Sequence, residues 1–335
     1  ILTIGDIDGT TSSNSGKGIE VTSSATMGDY DLSAVSYLSL AANQTLAGQL
    51  NLKTNGELKT SGTGQYIGDI ALAGGKFSAT DNQVLGGTLS ITADSELTVS
   101  QGYTLTLSQN GGLVLGGNAL TISGGGSFVS GGVTLNNADS KLLLNSITLD
   151  SAITTADSLG LDVNADSTVT ALSVGHITPV SIATGKSLSG AIAVTAGSLK
   201  LNETGTLAST VTMSGGTLDA DETSTVSGAL TQTADIAIDV ATGKTLTYSG
   251  AAVNLGAKTL TLSGGGTLSN TNALVLNNAD SLLSLDDSLT VGLASVTVGS
   301  NAGKGLAVNE SSTISSLKVT ANTELKVAQG KVLSG

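Results

Sequence analysis

Three short stretches of the sequence bring acidic side chains close enough together to suggest chemistry. In "GDIDG" (5–9), Asp6 and Asp8 are two residues apart, and a pair of carboxylates is a suitable start for a Ca²⁺ site. The similar stretch "VTVGSNAG" (296–303) has Ser300 and Ala302 in place of the two acids. We therefore expect a turn here, with Asp6 and Asp8 as the candidate calcium ligands of the chain.

The other acidic stretches, "DADE" (219–222) and "LDD" (285–287), raise the question of carbohydrate cleavage. A retaining glycosidase needs two carboxyl groups about 5–5.5 Å apart, and Asp221 and Asp286 are the residues we would test. However, the sequence has no Arg and no Trp, the side chains that commonly face acidic sugars and stack on sugar rings. The sole histidine, His176, does not make a triad by itself. We predict no catalytic residues and no enzyme.

Small polar residues and glycines fit structural roles. The pattern Thr-x-Thr, as in "TLT" (104–106) and "TVT" (168–170), could order water on a flat face, but it recurs too irregularly to predict such a face. The Asp of five "ADS" tripeptides and the paired Asn residues 136–137 and 277–278 are expected to close turns. The "GGG" runs lack the Lys-Ser/Thr of a phosphate loop, so we expect them to form tight corners.

Composition narrows the possible classes of protein. The 335 residues have a net charge of −13, 45 Gly, no Cys and only 2% aromatic residues. An acidic chain without clustered cations does not suit nucleic acid. No apolar run approaches the ~20 residues of a membrane-spanning helix, so we predict no membrane insertion by this segment. The apolar content is sufficient for a core built from Leu, Val, Ile and Ala.

A long internal repeat organises the chain. "LTISGGG" (120–126) recurs as "LTLSGGG" (260–266), and "NNADS" (136–140) recurs at 277–281. Such spacing predicts one continuous solenoid over 1–335. Its predicted parts, in repeats of ~141–145 residues, are a junction at 1–17, long repeat 1 at 18–159, long repeat 2 at 160–304, and the start of a third copy at 305–335.

A shorter periodicity lies inside the long repeat. Leucines recur every seven or eight residues in short alternating stretches such as "TLTL" (104–107), and Gly, Asn, Asp and Ser fill the gaps. Alternation of this kind is typical of strands with one buried face. Three strands would make a coil of about 23–24 residues, so each long repeat would contain about six coils. The prediction is an all-β protein with the fold of a β-solenoid, or parallel β-helix.

Two stretches point to a family. "ALTISGGGSFVSGGVTLNNADSKLLL" (119–144) and "TLTLSGGGTLSNTNALVLNNADSLLSL" (259–285) resemble the autotransporter-associated β-strand repeat of bacterial autotransporter passengers and large secreted adhesins. This resemblance implies an exported, right-handed parallel β-helix on the cell surface, such as a stalk, filament or adhesin. The chain departs from a complete autotransporter in showing no membrane-barrel pattern.

These observations together predict a non-enzymatic extracellular structural segment. It is expected to have no cofactor, and calcium at Asp6 and Asp8 is the one candidate exception. Expected partners are the chain itself or further repeats joined end to end, and surface glycans or other cells. The alternatives are a carbohydrate-active β-helix enzyme and a glycan-binding module.

Overall fold

The structure is a computed structural model, and it describes residues 3–4, 19–108, 112–298, 304–320 and 322–335. All of the regular secondary structure in this part of the chain is β-strand. The chain divides into two compact units, Ile1–Thr170 and Ala171–Gly335.

The strands of the first unit are β1 (Thr3–Ile4), β2 (Ile19–Val21), β3 (Ala25–Thr26), β4 (Tyr30–Leu32), β5 (Val35–Leu40), β6 (Thr45–Ala47), β7 (Leu50–Lys53), β8 (Glu57–Gly62), β9 (Gln65–Tyr66), β10 (Ile70–Ala73), β11 (Lys76–Ala79), β12 (Gln83–Leu85), β13 (Leu89–Ala93), β14 (Ser95–Val99), β15 (Thr104–Leu107), β16 (Leu113–Val114), β17 (Ala119–Ser123), β18 (Ser127–Val129), β19 (Val133–Leu135), β20 (Lys141–Asn145), β21 (Thr148–Thr155) and β22 (Gly160–Val163). Strand β23 (Ser167–Val174) contains the division.

The strands of the second unit are β24 (Ile177–Ile182), β25 (Ser187–Val194), β26 (Ser198–Leu201), β27 (Thr206–Leu207), β28 (Thr210–Met213), β29 (Thr217–Ala220), β30 (Ser224–Val226), β31 (Leu230–Gln232), β32 (Ile236–Val240), β33 (Thr245–Tyr248), β34 (Val253–Asn254), β35 (Thr259–Ser263), β36 (Thr267–Leu276), β37 (Leu282–Leu285), β38 (Thr290–Val298), β39 (Gly305–Val308), β40 (Ser312–Ile314), β41 (Leu317–Val319), β42 (Leu325–Val327) and β43 (Leu333–Ser334).

Within each unit the strands stack in parallel rows, as predicted for a β-solenoid. The first row of the first unit runs through β2, β5, β8, β11, β14, β17, β20 and β22. The first row of the second unit runs through β24, β26, β29, β32, β35, β37, β39 and β42. Strand β1 pairs with β2 in the antiparallel direction, the one exception among the described strand ladders.

A second row completes another side of each coil. In the first unit it runs through β3, β6, β9, β12, β15, β18 and the start of β21. In the second unit it runs through the start of β25, β27, β30, β33, the starts of β36 and β38, β40 and β43. Apart from β1, the remaining strands form the third side, where β21, β25, β36 and β38 continue from the second side as single long strands.

The coils are less uniform in length than the sequence suggests. Leu142 stacks on Leu161, and Leu97 stacks on Ile122. The coil that joins Leu97 to Ile122 therefore contains more residues than the coil that joins Leu142 to Leu161. The predicted length of about 23–24 residues matches the steps from β32 to β39, but most other steps are shorter. The eight first-row strands from Ile19 to Val163 make seven coil steps, so the expectation of six coils per long repeat was too low.

Alternation of inward and outward residues along most strands builds the core. In β20, Leu142 and Leu144 are fully buried, while Leu143 between them points outward and is half-buried. Because parallel strands stack in register, the inward positions form continuous apolar columns, in which Leu142 lies between Leu120 and Leu161. Burial of these columns is the main source of stability in such a fold.

The glycine runs are the corners that the sequence predicts. A Cβ atom on Gly124 would lie 2.3 Å from the carbonyl oxygen of Val99, and one on Gly264 would lie 2.4 Å from that of Val240. Both glycines also have positive φ, 110° and 94°. Because only glycine fits this close approach and this backbone conformation, the repeated "GGG" serves geometry.

Candidate functional site

The outer face of the first row in the second unit gathers charged side chains. Leu218 and Ala220 point into the core, so the alternation of β29 directs Asp219 outward. Asp219 lies directly opposite Lys200 on one side and opposite Asp239 on the other. We call Lys200, Asp219, Asp221 and Asp239 the Asp219 cluster.

Ion pairs and partial burial set the electrostatics of this cluster. The Nζ atom of Lys200 lies 2.9 Å from Oδ2 of Asp221 and 3.4 Å from Oδ2 of Asp219. Burial raises the pKa of Asp219, and the neighbouring charge of Asp221 raises it further. The hydrogen bond to Asp221 raises the pKa of Lys200. A carboxyl group with a raised pKa beside other acidic side chains is the arrangement from which general acids are made.

Asp286 belongs to the same face but lies away from the cluster. Strands β32 and β35 separate its strand from β29, which corresponds to about 14 Å at the usual strand spacing. Its Oδ1 atom accepts hydrogen bonds from Ser284 Oγ at 2.6 Å and from Asn309 Nδ2 at 2.7 Å. Asp221 and Asp286 therefore cannot form a glycosidase pair, for which even the inverting geometry requires less than about 10 Å.

The first unit has an open groove of about 460 Å³ on the corresponding face. Its charged lining includes Glu57, Lys76, Asp94 and Glu96. Lys76 Nζ lies 3.5 Å from Glu96 Oε2, and Glu57 Oε1 accepts a 2.6 Å hydrogen bond from Ser78. The volume is that of a small-ligand site, and the lining combines these charged groups with apolar side chains such as Val35 and Leu143.

Asp6, Asp8 and His176 are the other candidate site residues that the sequence suggests. Asp6 and Asp8 lie outside the described residues. His176 is exposed in the bend before β24, as expected of a surface histidine. Within the described ranges, no group of three or more His, Cys, Asp or Glu side chains is placed to hold a metal ion, and this includes the Asp219 cluster.

The turn residues act partly between coils. Asn137 closes its own turn, because its Oδ1 accepts a 3.0 Å hydrogen bond from the N–H of Asp139. Asp94 instead accepts a 2.8 Å bond from the N–H of Ala119 in the next coil, and the equivalent Asp235 accepts one from Thr259 at 2.7 Å. The expectation that the "ADS" aspartates close their own turns is therefore wrong for Asp94.

Sequence reasoning missed the neighbour that completes the Asp219 cluster. Asp239 lies opposite Asp219, a single coil step later in the chain. An assumed coil of about 23–24 residues is longer than this step and does not place the two side chains together. The signal was available in the chain itself: "TLDA" (217–220) and "IAIDV" (236–240) align in register when Asp219 is set beside Asp239.

These observations define the chain as a parallel β-solenoid repeat protein with charged outer faces. Comparison with family models, with curated proteins and with solved structures finds no match. Among the described residues there is also no helix with the length and apolar character needed to cross a membrane.

Proposed function

We propose that this chain is a non-enzymatic structural segment, a β-solenoid stalk, filament or adhesin segment on the outside of a bacterial cell. The resemblance of 119–144 and 259–285 to autotransporter-associated repeats supports the extracellular bacterial setting. The observation on which the proposal rests is the uninterrupted stacking of coils in each unit.

Stacked coils suit a load-bearing role for a physical reason. Leu142, for example, stacks on Leu120 of the coil before it and on Leu161 of the coil after it, and its strand pairs with both neighbouring strands. Residues that recur in both long repeats, such as Gly124 and Gly264, form tight corners of the coils. The features that recur along the chain are therefore those that build the scaffold.

End-to-end contact with a further coil is part of the proposal. Leu325 and Val327 occupy inward positions of the first row, yet they are 50% and 42% exposed. Their stacking partners one coil earlier, Leu306 and Val308, are buried. A coil from another copy or from further repeats would cover this surface. Sedimentation velocity over a range of concentrations tests self-association, and a monomer at every concentration would contradict it.

Force spectroscopy on the chain tests the load-bearing role. Pulling on both ends should peel the solenoid coil by coil, because each coil contacts only its neighbours. A coil of about 20 residues would release roughly 65 Å of chain per step. A single event that releases a whole unit would contradict the mechanism. Antibody labelling of intact cells that produce the protein tests the extracellular location.

A second candidate function, a carbohydrate-active β-helix enzyme, is favoured by the Asp219 cluster. Asp219 has a raised pKa, and Lys200 could face an acidic sugar. The test is depolymerisation of acidic and neutral polysaccharides by the chain and by Asp219→Asn. The control is Asp162→Asn, which removes a carboxylate that pairs with Lys141 at 2.5 Å on the same face of the first unit. Activity lost only in Asp219→Asn would establish the enzyme, and inactivity of the unaltered chain would exclude it for those substrates.

A third candidate, a glycan-binding module, is favoured by the groove of the first unit. Carboxylates and a lysine can hydrogen-bond to sugar hydroxyls, and Glu96 and Lys76 line the groove as a pair. A glycan array with the chain, with Glu96→Gln and with the control Glu324→Gln tests this function. Binding that is lost only in Glu96→Gln would support it, whereas binding that is unaffected would place the contact elsewhere.

A further inference from the structure

The second row of the second unit presents a regular array of hydroxyl groups. Five successive coils each place two outward residues there, separated by one inward residue. We call this array the hydroxyl face; its members are Thr223 and Thr225, Thr245 and Thr247, Thr267 and Ser269, Thr290 and Gly292, and Thr313 and Ser315. The residues between them, Ser224, Leu246, Leu268, Val291 and Ile314, are buried.

The strand register aligns these residues into two columns. In the first column Thr245 lies opposite Thr267, and Thr267 lies opposite Thr290. The same column continues from Thr290 to Thr313. At its start, the N–H of Thr245 donates a 3.3 Å hydrogen bond to Thr223 Oγ1.

The second column follows the same register. Thr225 lies opposite Thr247, and Thr247 lies opposite Ser269. Nine of the ten members of the face therefore carry a hydroxyl group, and Gly292 is the exception. Thr-x-Thr occurs at irregular intervals in the sequence. On this row, the coils that lack Thr-x-Thr carry Thr-x-Ser or Thr-x-Gly at the same positions.

The hydroxyl face is neutral, in contrast to the Asp219 cluster on the first row. None of its ten members is charged or aromatic. At its rim, Lys244 and Glu222 neutralise each other in an ion pair of 2.5 Å. A neutral face without aromatic rings suits a neutral partner, and it lacks the stacking platforms on which sugar rings usually bind.

The geometry of a sheet makes the array periodic in two directions. Neighbouring strands are about 4.8 Å apart, and alternate residues along a strand are about 6.6 Å apart. Threonine is stiff at χ1, so its hydroxyl and methyl groups keep fixed directions. Each hydroxyl donates one hydrogen bond and accepts others. Water molecules bound to such an array would occupy repeating positions, as they do in a crystal.

We propose that the hydroxyl face binds the surface of ice through a layer of water molecules ordered by its threonines. This inference goes beyond the structural role and does not depend on it, since a rigid solenoid could bind ice in any setting. The first unit has a shorter counterpart, which Val129 and Asp150 interrupt between Thr106 and Thr170. We therefore assign the activity to the second unit.

Thermal hysteresis and ice-affinity partitioning of the full chain test the proposal. The test variant is Thr267→Lys, at the centre of the hydroxyl face. The matched control is Thr261→Lys, an outward, half-buried threonine of β35 on the first row of the same unit. Circular dichroism verifies that both variants are folded. We expect the unaltered chain and Thr261→Lys to depress the freezing point and to partition into ice, and Thr267→Lys to lose both properties.

Three results would overturn the proposal. The first is an unaltered chain without thermal hysteresis and without partitioning into ice. The second is equal behaviour of Thr267→Lys and Thr261→Lys, since it would locate any effect off the hydroxyl face. The third is retention of the chain by microcrystalline cellulose but not by ice, since it would identify a crystalline polysaccharide as the partner.

Discussion

Two adjacent leucines provide a direct test of the register of the solenoid. In "KLLLN" (141–145), Leu142 points into the core and Leu143 points outward, although the two residues are chemically identical. We predict that Leu142→Ala strongly destabilises the first unit and that Leu143→Ala does not. Because the side-chain period of a strand is two, a register error of one residue would reverse this result.

The magnitude follows from the burial of each side chain. Leu142 is 0% exposed and lies between Leu120 and Leu161, which are also 0% exposed. Truncation would remove buried methyl groups and leave a cavity, at a cost of about 2–5 kcal/mol in the free energy of unfolding. Leu143 is half-buried on the outer face, so its truncation should cost about 1 kcal/mol or less.

Urea unfolding measures this difference. The chain has no Trp, so far-UV circular dichroism is the appropriate signal. The transition of the first unit should move to lower urea in Leu142→Ala and remain near its original position in Leu143→Ala. Equal shifts for the two variants, or a larger shift for Leu143→Ala, would refute the alternation of inward and outward residues in this strand.

Three further predictions concern single residues. Gly126→Ala should cost about 1–3 kcal/mol, because its Cβ would lie 2.5 Å from a carbonyl oxygen, whereas Gly117→Ala has 3.6 Å of clearance and should be mild; urea unfolding compares them. Hydrogen bonds from Thr88 lower the pKa of Asp69 in the folded chain. The ionised Asp69 therefore stabilises the folded state fully above the unfolded pKa of about 3.9, and this stabilisation is lost as the pH falls through the lower folded pKa. Asp69→Asn should therefore flatten the acid dependence of the urea midpoint. Burial raises the pKa of both Tyr248 and Tyr66, so ultraviolet titration should show two tyrosines ionising above the usual value of about 10, and Tyr248→Phe should remove one of them.

The alternation of apolar residues is the part of the fold that sequence predicts well. Leu105 and Leu107 are fully or nearly fully buried, and Thr104 and Thr106 point outward, as the pattern "TLTL" indicates. The glycine corners are predictable for a similar reason. In both cases the physical cause acts over a few residues, so a single stretch of sequence contains all the information.

Contacts between coils are harder to predict, because they depend on the length of every turn in between. The coil step from Leu97 to Ile122 is longer than the step from Leu142 to Leu161, although both join neighbouring strands of one row. With one assumed length, Asp219 is not placed beside Asp239. The variable length of the turns also places the Thr-x-Thr motifs on different rows. Residues 245–247 lie on the second row, 259–261 on the first and 210–212 on the third.

The variable turns also explain how one scaffold can present different outer faces. The inward columns require leucine-like residues in register, and the insertions that change coil length fall in the turns. Outward positions are therefore free of the packing constraint. In the second unit, the first row uses this freedom for the charges around Asp219, and the second row uses it for the uncharged hydroxyl face. The first row mixes charges with outward hydroxyls such as Thr261, whereas the ten positions of the hydroxyl face contain no charge. If the outward residues were passive solubilising groups, we would expect charges on both rows. Their absence from the hydroxyl face is the reason to test that face for a partner of its own.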